Sequence, residues 1–156
     1  MTSVESPVKV ELAVRQHLVD LTVRMAWYLD HQQWDLMPTL FTPEVSLDYT
    51  SLNGGEVTAV SRDVMIGKWR ENRTPLDATQ HLLSNHLVTF TGDESAHGTA
   101  MFQATHRKAN DQGGPLWTLG GEYHYTFSAG GGTWLIGGLA MNILWADGNR
   151  NIRDLR

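Results

Sequence analysis

From residue 79 onward the chain alternates strand-length runs with turn chemistry, and no other feature constrains the fold as tightly. The runs 79–91, 96–108, 116–127 and 133–145 are separated by Gly92-Asp93, by the stretch from Asn110 to Gly114, and by Gly130-Gly131-Gly132. Gly, Asn and Asp supply the positive φ angles and the side-chain-to-backbone bonds that tight turns require. Strands joined by short turns pair antiparallel, so this half predicts a β-meander. Gly120, Gly121, Gly137 and Gly138 interrupt the last two runs and predict bends or bulges that curl the sheet.

The first half reads differently. Val14, Leu18, Leu21, Met25, Tyr28 and Leu29 recur at spacings of three and four, with Arg15, Gln16, Asp20 and Arg24 between them, which predicts an amphipathic helix over 8–31. Residues 34–41 predict a second short helix stopped by Thr42-Pro43. The alternation of Val45, Leu47 and Tyr49 with Ser46, Asp48 and Thr50 predicts a strand, and Asn53-Gly54-Gly55 a hairpin turn into residues 56–60. Ser61 is placed to cap a third helix over 62–69, followed by a break at Arg73-Thr74-Pro75. Helices first and a meander afterwards indicate an α+β fold. At 156 residues the chain suits one domain, 1–156, with a core over about 8–145 and a tail, 146–156, that either frays or packs across a neighbour or a pocket mouth.

Composition narrows the chemistry. With 12 Lys+Arg against 17 Asp+Glu and no basic run, the footprint of a nucleic-acid binder is missing. Without cysteine there is no disulfide, thiolate nucleophile or thiolate metal site. No stretch approaches the ~18 apolar residues of a membrane span, and Glu5, Lys9, Glu11 and Arg15 interrupt what a signal peptide would keep apolar; a cytoplasmic protein with no membrane partner is expected.

Polar chemistry therefore rests on His, Asp, Glu, Tyr and Ser. Alternation over 79–91 places His81, Leu83, Asn85, Leu87 and Thr89 on one face and Gln80, Leu82, Ser84, His86, Val88 and Phe90 on the other, neither cleanly apolar. In the next run Ala96, Gly98, Ala100, Phe102, Ala104 and His106 share a small, apolar face ending in an imidazole. Asp30 falls at the C-terminal end of the first helix, where the macrodipole disfavours a negative charge, which singles it out, although a helix-end residue capping the next turn is the simplest reading of it alone. An apolar concavity holding His81, His106 and Asp30 would suit general acid–base work, with Asp30 fixing the tautomer of His81. The other histidines, His17, His31, His86, His97 and His124, read as structural or surface. No HxH, HxxxH or HxxE pairing anchors a metal, so no metal is expected.

The segments Tyr28-Leu29-Asp30 with Trp34-Asp35, Leu47-Asp48-Tyr49, Thr79-Gln80-His81, Thr105-His106 and Gly131-Gly132-Thr133-Trp134 resemble the scytalone dehydratase branch of the SnoaL-like, NTF2-like superfamily, over about 12–145. The resemblance implies a cone-shaped barrel, a strongly curved mixed or antiparallel sheet wrapped around the N-terminal helices. It implies a cofactor-independent dehydratase acting beside a carbonyl of a hydrophobic, cyclic or polyketide-like small molecule. The roles it implies are His81 as base oriented by Asp30, His106 assisting loss of hydroxide, and Tyr49 with Tyr123 on the enolate oxygen. Tyr28, Tyr123, Phe102, Asn85 and Trp27 would contact substrate. Polyketide cyclisation, a ketosteroid-isomerase-like isomerisation and a non-catalytic binding module are the alternatives on the same fold. Association into dimers or trimers is a further implication.

There are departures from the family pattern. The family's Tyr before the Asp falls on Leu29, with Tyr28 about 100° round the helix. Its substrate-contacting Ser and Asn fall on Gly121 and Tyr123. These departures imply a related enzyme with a different substrate.

Overall fold

In the computed structural model, which describes residues 7–153, the long N-terminal helix α1 spans Pro7–Asp30 and lays Leu18, Leu21, Met25 and Leu29 into the core. A 3₁₀ turn, Met37–Leu40, leads into β1, Phe41–Asp48. Helix α2, Thr50–Asn53, strand β2, Thr58–Ser61, and helix α3, Arg62–Arg73, follow. The meander is β3, Ala78–Gly92; β4, Ser95–Arg107; β5, Leu116–Gly130; and β6, Thr133–Gly148. All six strands form one sheet in the order β2-β1-β6-β5-β4-β3. Only β1 with β6 is parallel, so the sheet is mixed, curved and open, with β2 and β3 as its edges. The α+β cone expected above is present.

Curvature comes from bulges where glycine was expected to make them. Gly120 pairs with Trp145 and Gly121 with Ile143, leaving Leu144 as an extra residue on β6. Thr126 pairs with Gly138 and Phe127 with Ile136, which makes Gly137 the second extra residue. The inward set on β6 accordingly steps from Ile136 to Leu139 and Met141 instead of keeping a strict period of two.

Four expectations are corrected. Residues 34–41 form a turn and then a 3₁₀ turn rather than an α-helix, and Phe41 already belongs to β1. Pro43 lies inside that strand, where the β1–β6 register is interrupted between Phe41 and Ser46, so its missing N–H breaks no ladder. The turn after β1 is a short helix, because the Asp48 carboxylate accepts bonds from the Thr50 amide at 3.0 Å and the Thr50 hydroxyl at 2.7 Å. Helix α3 runs one turn past residue 69, to Arg73.

The fourth correction concerns β3. Register shifts between Ser84 and Leu87, and Asn85 adopts φ 56°. This bulge exchanges the faces of the strand: His81 and Leu83 point inward before it, and His86, Val88 and Phe90 after it. The two mixed faces seen in the sequence are thus one inner face interrupted once, and Asn85 is exposed at the switch rather than beside His81.

Helix α1 runs antiparallel along the inner face of β3 and is tied to it at three levels. Arg15 donates to the Val88 carbonyl. Thr22 gives its hydroxyl proton to the Val19 carbonyl at 2.8 Å and accepts from His86 Nε2 at 3.0 Å. Asp30 bonds to Thr79 and His81. A β-branched residue at position 85 would have to adopt the left-handed region, which costs an L-residue roughly 1–2 kcal/mol. Asn85→Val is therefore expected to lower unfolding free energy by about that amount and Asn85→Gly to leave it within roughly 0.5 kcal/mol, as read from urea midpoints; equal stability of the two variants would contradict the bulge.

Candidate active site

The cavity lies between the sheet and helices α1, α2 and α3 and opens at one mouth. Its apolar wall includes Met25, Leu29, Phe102, Trp117, Leu119 and Met141, and the polar groups facing it include His81, His106, Tyr49, Tyr123 and Arg73, with Asn53, Asn72 and Arg153 also in the lining. Each arrives by simple periodicity. Met25 and Leu29 are one turn apart on α1, His81 is on the inward face of β3, and Phe102, Ala104 and His106 are the inward residues of β4.

Asp30 closes α1 and turns its carboxylate onto the start of β3. Oδ1 accepts from the Thr79 hydroxyl at 2.9 Å and from His81 Nδ1 at 2.7 Å, while Oδ2 accepts from the His81 amide at 2.7 Å. Burial works against ionisation of Asp30, but the hydrogen bond and charge of His81, its amide and the Thr79 hydroxyl outweigh it and hold the carboxyl below its ordinary pKa. Because a carboxylate can only accept, Nδ1 of His81 is the donor, and in the neutral imidazole Nε2 is then the lone-pair nitrogen. That is the form of a general base.

His106 has a different environment. It is 3% exposed, and its Nδ1 donates to the Trp117 carbonyl at 3.3 Å. Burial, with the charges of Arg73 and His81 adding to it, pushes its pKa down to about 3, so it is a neutral imidazole with a bare Nε2. The two rings stand edge to face, 6.0 Å between centroids. A neutral His106 with its proton on Nδ1 can accept a hydrogen bond from a hydroxyl at Nε2 and has no proton to give there.

Tyr49, the residue that precedes α2, and Tyr123, on β5, have hydroxyls that burial keeps un-ionised. Tyr49 is raised far above its ordinary value by burial and by Tyr123, and Tyr123 is pushed up to about 12 by burial against the opposing charge of Arg73. Both are hydrogen-bond donors at any working pH. Phe102 stacks on Tyr123 with centroids 4.2 Å apart and holds that ring in place.

Of the residues singled out in the sequence, Asp30, His81, His106, Tyr49, Tyr123 and Phe102 meet here. Three do not. Trp27 is 57% exposed and stacks on His31 at 4.0 Å, because it sits about 200° round α1 from Leu29. Tyr28, about 100° from Leu29, packs half-buried against the core outside the cavity. Asn85 is displaced by the bulge. Among the described residues no group of three His, Asp or Glu side chains is placed to hold a metal ion.

Sequence reading missed Arg73, Trp69 and Arg153. Ending the third helix at residue 69 concealed that Met65, Trp69 and Arg73 follow one another at i, i+4 and share a face; the spacing itself was the available signal. The tail packs over the pocket mouth as far as it is described: Ile152 is 1% exposed, and Arg153 donates to Asn53 Oδ1 at 2.7 Å. Residues 154–156 lie outside the described residues.

A model of the SnoaL-like domain family matches residues 10–139. A dehydratase of Pestalotiopsis microspora is 25% identical over 127 residues, covering 77% of this chain and 80% of that protein. Among solved structures, a protein from Kribbella flavida superposes with TM-score 0.84 at 20% identity, covering 90% of this chain and 97% of the other. A provisionally assigned scytalone dehydratase from Novosphingobium aromaticivorans gives 0.79 at 18% identity, over 92% of each chain. A hexachlorocyclohexane dehydrochlorinase from Novosphingobium barchaimii gives 0.75 at 11% identity, over 90% of this chain and 92% of that one.

The neutral state of His106 has a measurable consequence. Its folded pKa lies near 3 against 6.5 unfolded, so its contribution to stability is present above pH 6.5 and is lost as pH falls towards 3. Over that interval the unfolding free energy should fall with acidification more steeply in the wild type than in His106→Gln, by up to about 1.4 kcal/mol per pH unit. Parallel stability–pH curves would mean that His106 is solvated.

Proposed function

The chain belongs to the SnoaL-like domain family, and on that premise we propose that it is a cofactor-independent acid–base enzyme acting beside a carbonyl, with dehydration of a β-hydroxy carbonyl compound as its reaction. The observation that carries this reading is the Asp30–His81 pair: a carboxylate that accepts from Nδ1 at 2.7 Å on an imidazole that lines the cavity. A likeness to relatives named dehydratase and dehydrochlorinase supports an elimination.

The reaction runs as follows. His81 Nε2 takes the proton on the carbon next to the carbonyl, and the C–H electrons move into an enolate whose oxygen accepts from the Tyr49 and Tyr123 hydroxyls. The new imidazolium is stabilised by the Asp30 carboxylate. The enolate electrons then form the carbon–carbon double bond as the β-carbon–oxygen bond breaks, and the departing hydroxide takes the proton back from His81 and leaves as water. His106, through its bare Nε2, accepts a bond from the substrate hydroxyl and orients it. A buried neutral imidazole suits that role better than the role of acid.

A cyclic β-hydroxy ketone incubated with the protein should give a product lighter by one water. His81→Ala should reduce kcat by about 10²–10⁴, which is ~2.7–5.4 kcal/mol of barrier, with the fold retained. Asp30→Asn should lose activity on a similar scale, because the amide can donate to Nδ1 and would then favour the tautomer with its proton on Nε2. An unchanged product mass with rearranged carbonyls would favour isomerisation or cyclisation. Full activity in His81→Ala would end the acid–base reading.

A further inference from the structure

The acid–base reaction leaves one half-buried charge without a task. Arg73, the last residue of α3, lines the cavity, yet its guanidinium makes no hydrogen bond or ion pair with any described residue, and its Nε is sealed from solvent. Arg73 is half-buried and cannot shed its charge, so a guanidinium partly withdrawn from water with no protein acceptor gains from a ligand that completes it. Nothing in the wall does so. The Asp30 carboxylate is occupied by Thr79 and by both N–H groups of His81. Tyr49 and Tyr123 are neutral phenols. Burial draws Arg73 below its ordinary pKa, and the positive charge of Arg153 adds to that pull.

Arg153 is the second guanidinium of the cavity, fixed to Asn53 at its mouth. One carboxylate against two guanidiniums leaves a single positive charge over when His81 is neutral. A monoanion balances this. A dianion does not. The planar fork of arginine matches a carboxylate, and the remaining wall of Met25, Leu29, Phe102, Trp117, Leu119 and Met141 is apolar.

We propose that Arg73 is a substrate-binding residue and that the substrate is an organic carboxylate, with a cyclic or aromatic body against the apolar wall and its carboxylate on the Arg73 guanidinium. The inference rests on the reading above only in taking this cavity as the substrate site. It sets this pocket apart from one built for a neutral phenolic, and the charge would select among otherwise similar carbonyl compounds.

The test is a binding titration with naphthoate and its neutral amide, naphthamide, followed through the fluorescence of the cavity tryptophans. Wild type should bind naphthoate at least tenfold more tightly than naphthamide, a difference of about 1.4 kcal/mol. Arg73→Met should abolish the preference and Arg73→Lys should retain part of it. Should Arg73→Met fail to fold, the Arg73 Nε–H resonance of the wild type replaces it: naphthoate, and not naphthamide, should shift it. Equal binding of the two ligands, an undiminished preference in a folded Arg73→Met, or an unmoved Nε–H resonance overturns the proposal. A protein that prefers naphthoate through Arg73 but eliminates water from no β-hydroxy carbonyl compound refutes the dehydratase reading alone. One that dehydrates substrates but shows no preference between the two ligands refutes the carboxylate inference alone.

Discussion

The bond between the Asp30 carboxylate and the start of β3 is the interaction on which the rest of the site depends. A negative charge at the C-terminal end of α1 is electrostatically misplaced within its own helix, and it becomes favourable only through the three donors that Thr79 and His81 supply. Those bonds fix the end of the helix against the edge strand and set the tautomer of His81 in one arrangement. Packing and the proposed chemistry are therefore coupled: the carboxylate that locates α1 also makes Nδ1 of His81 the donor.

Elsewhere on that seam the same helix is held at Thr22 and Arg15, on the far side of the β3 bulge. Without the bulge, strict alternation would turn His81 and His86 to opposite faces, and α1 could not bond to both. One residue with positive φ thus lets a single strand present an imidazole to the cavity at one end and a structural imidazole to the helix at the other. The two roles are separated by environment. His81 is bonded to a carboxylate, whereas His86 has only a hydroxyl, and burial lowers its pKa.

The cavity shows how low polarity sharpens chemical roles. Burial keeps His106 neutral and the Tyr49 and Tyr123 phenols protonated, so three groups that could titrate in water become fixed acceptors and donors. The same surroundings make the uncompensated Arg73 guanidinium conspicuous. Its charge is unremarkable in a sequence, where it sits among other arginines before a proline, and acquires meaning only when the last turn of α3 carries it inside.

Local pattern in the sequence determined the order of elements, the amphipathic face of α1, the meander with its turns and glycine bulges, and the inward face of β4 that ends in His106. These follow from periodicity and turn chemistry, which act between near neighbours. Tertiary structure decided which side chains meet. Asp30 and His81 are 51 residues apart in the chain, and their contact depends on how a helix crosses an edge strand. Asn85 left the site because one bulge exchanged two faces, Trp27 and Tyr28 because the rotation of α1 chose Leu29 for the cavity. Arg73 and Arg153 entered because α3 and the end of the chain both close over the same mouth. Periodicity states which residues share a face; only the packing of those faces states what each one confronts.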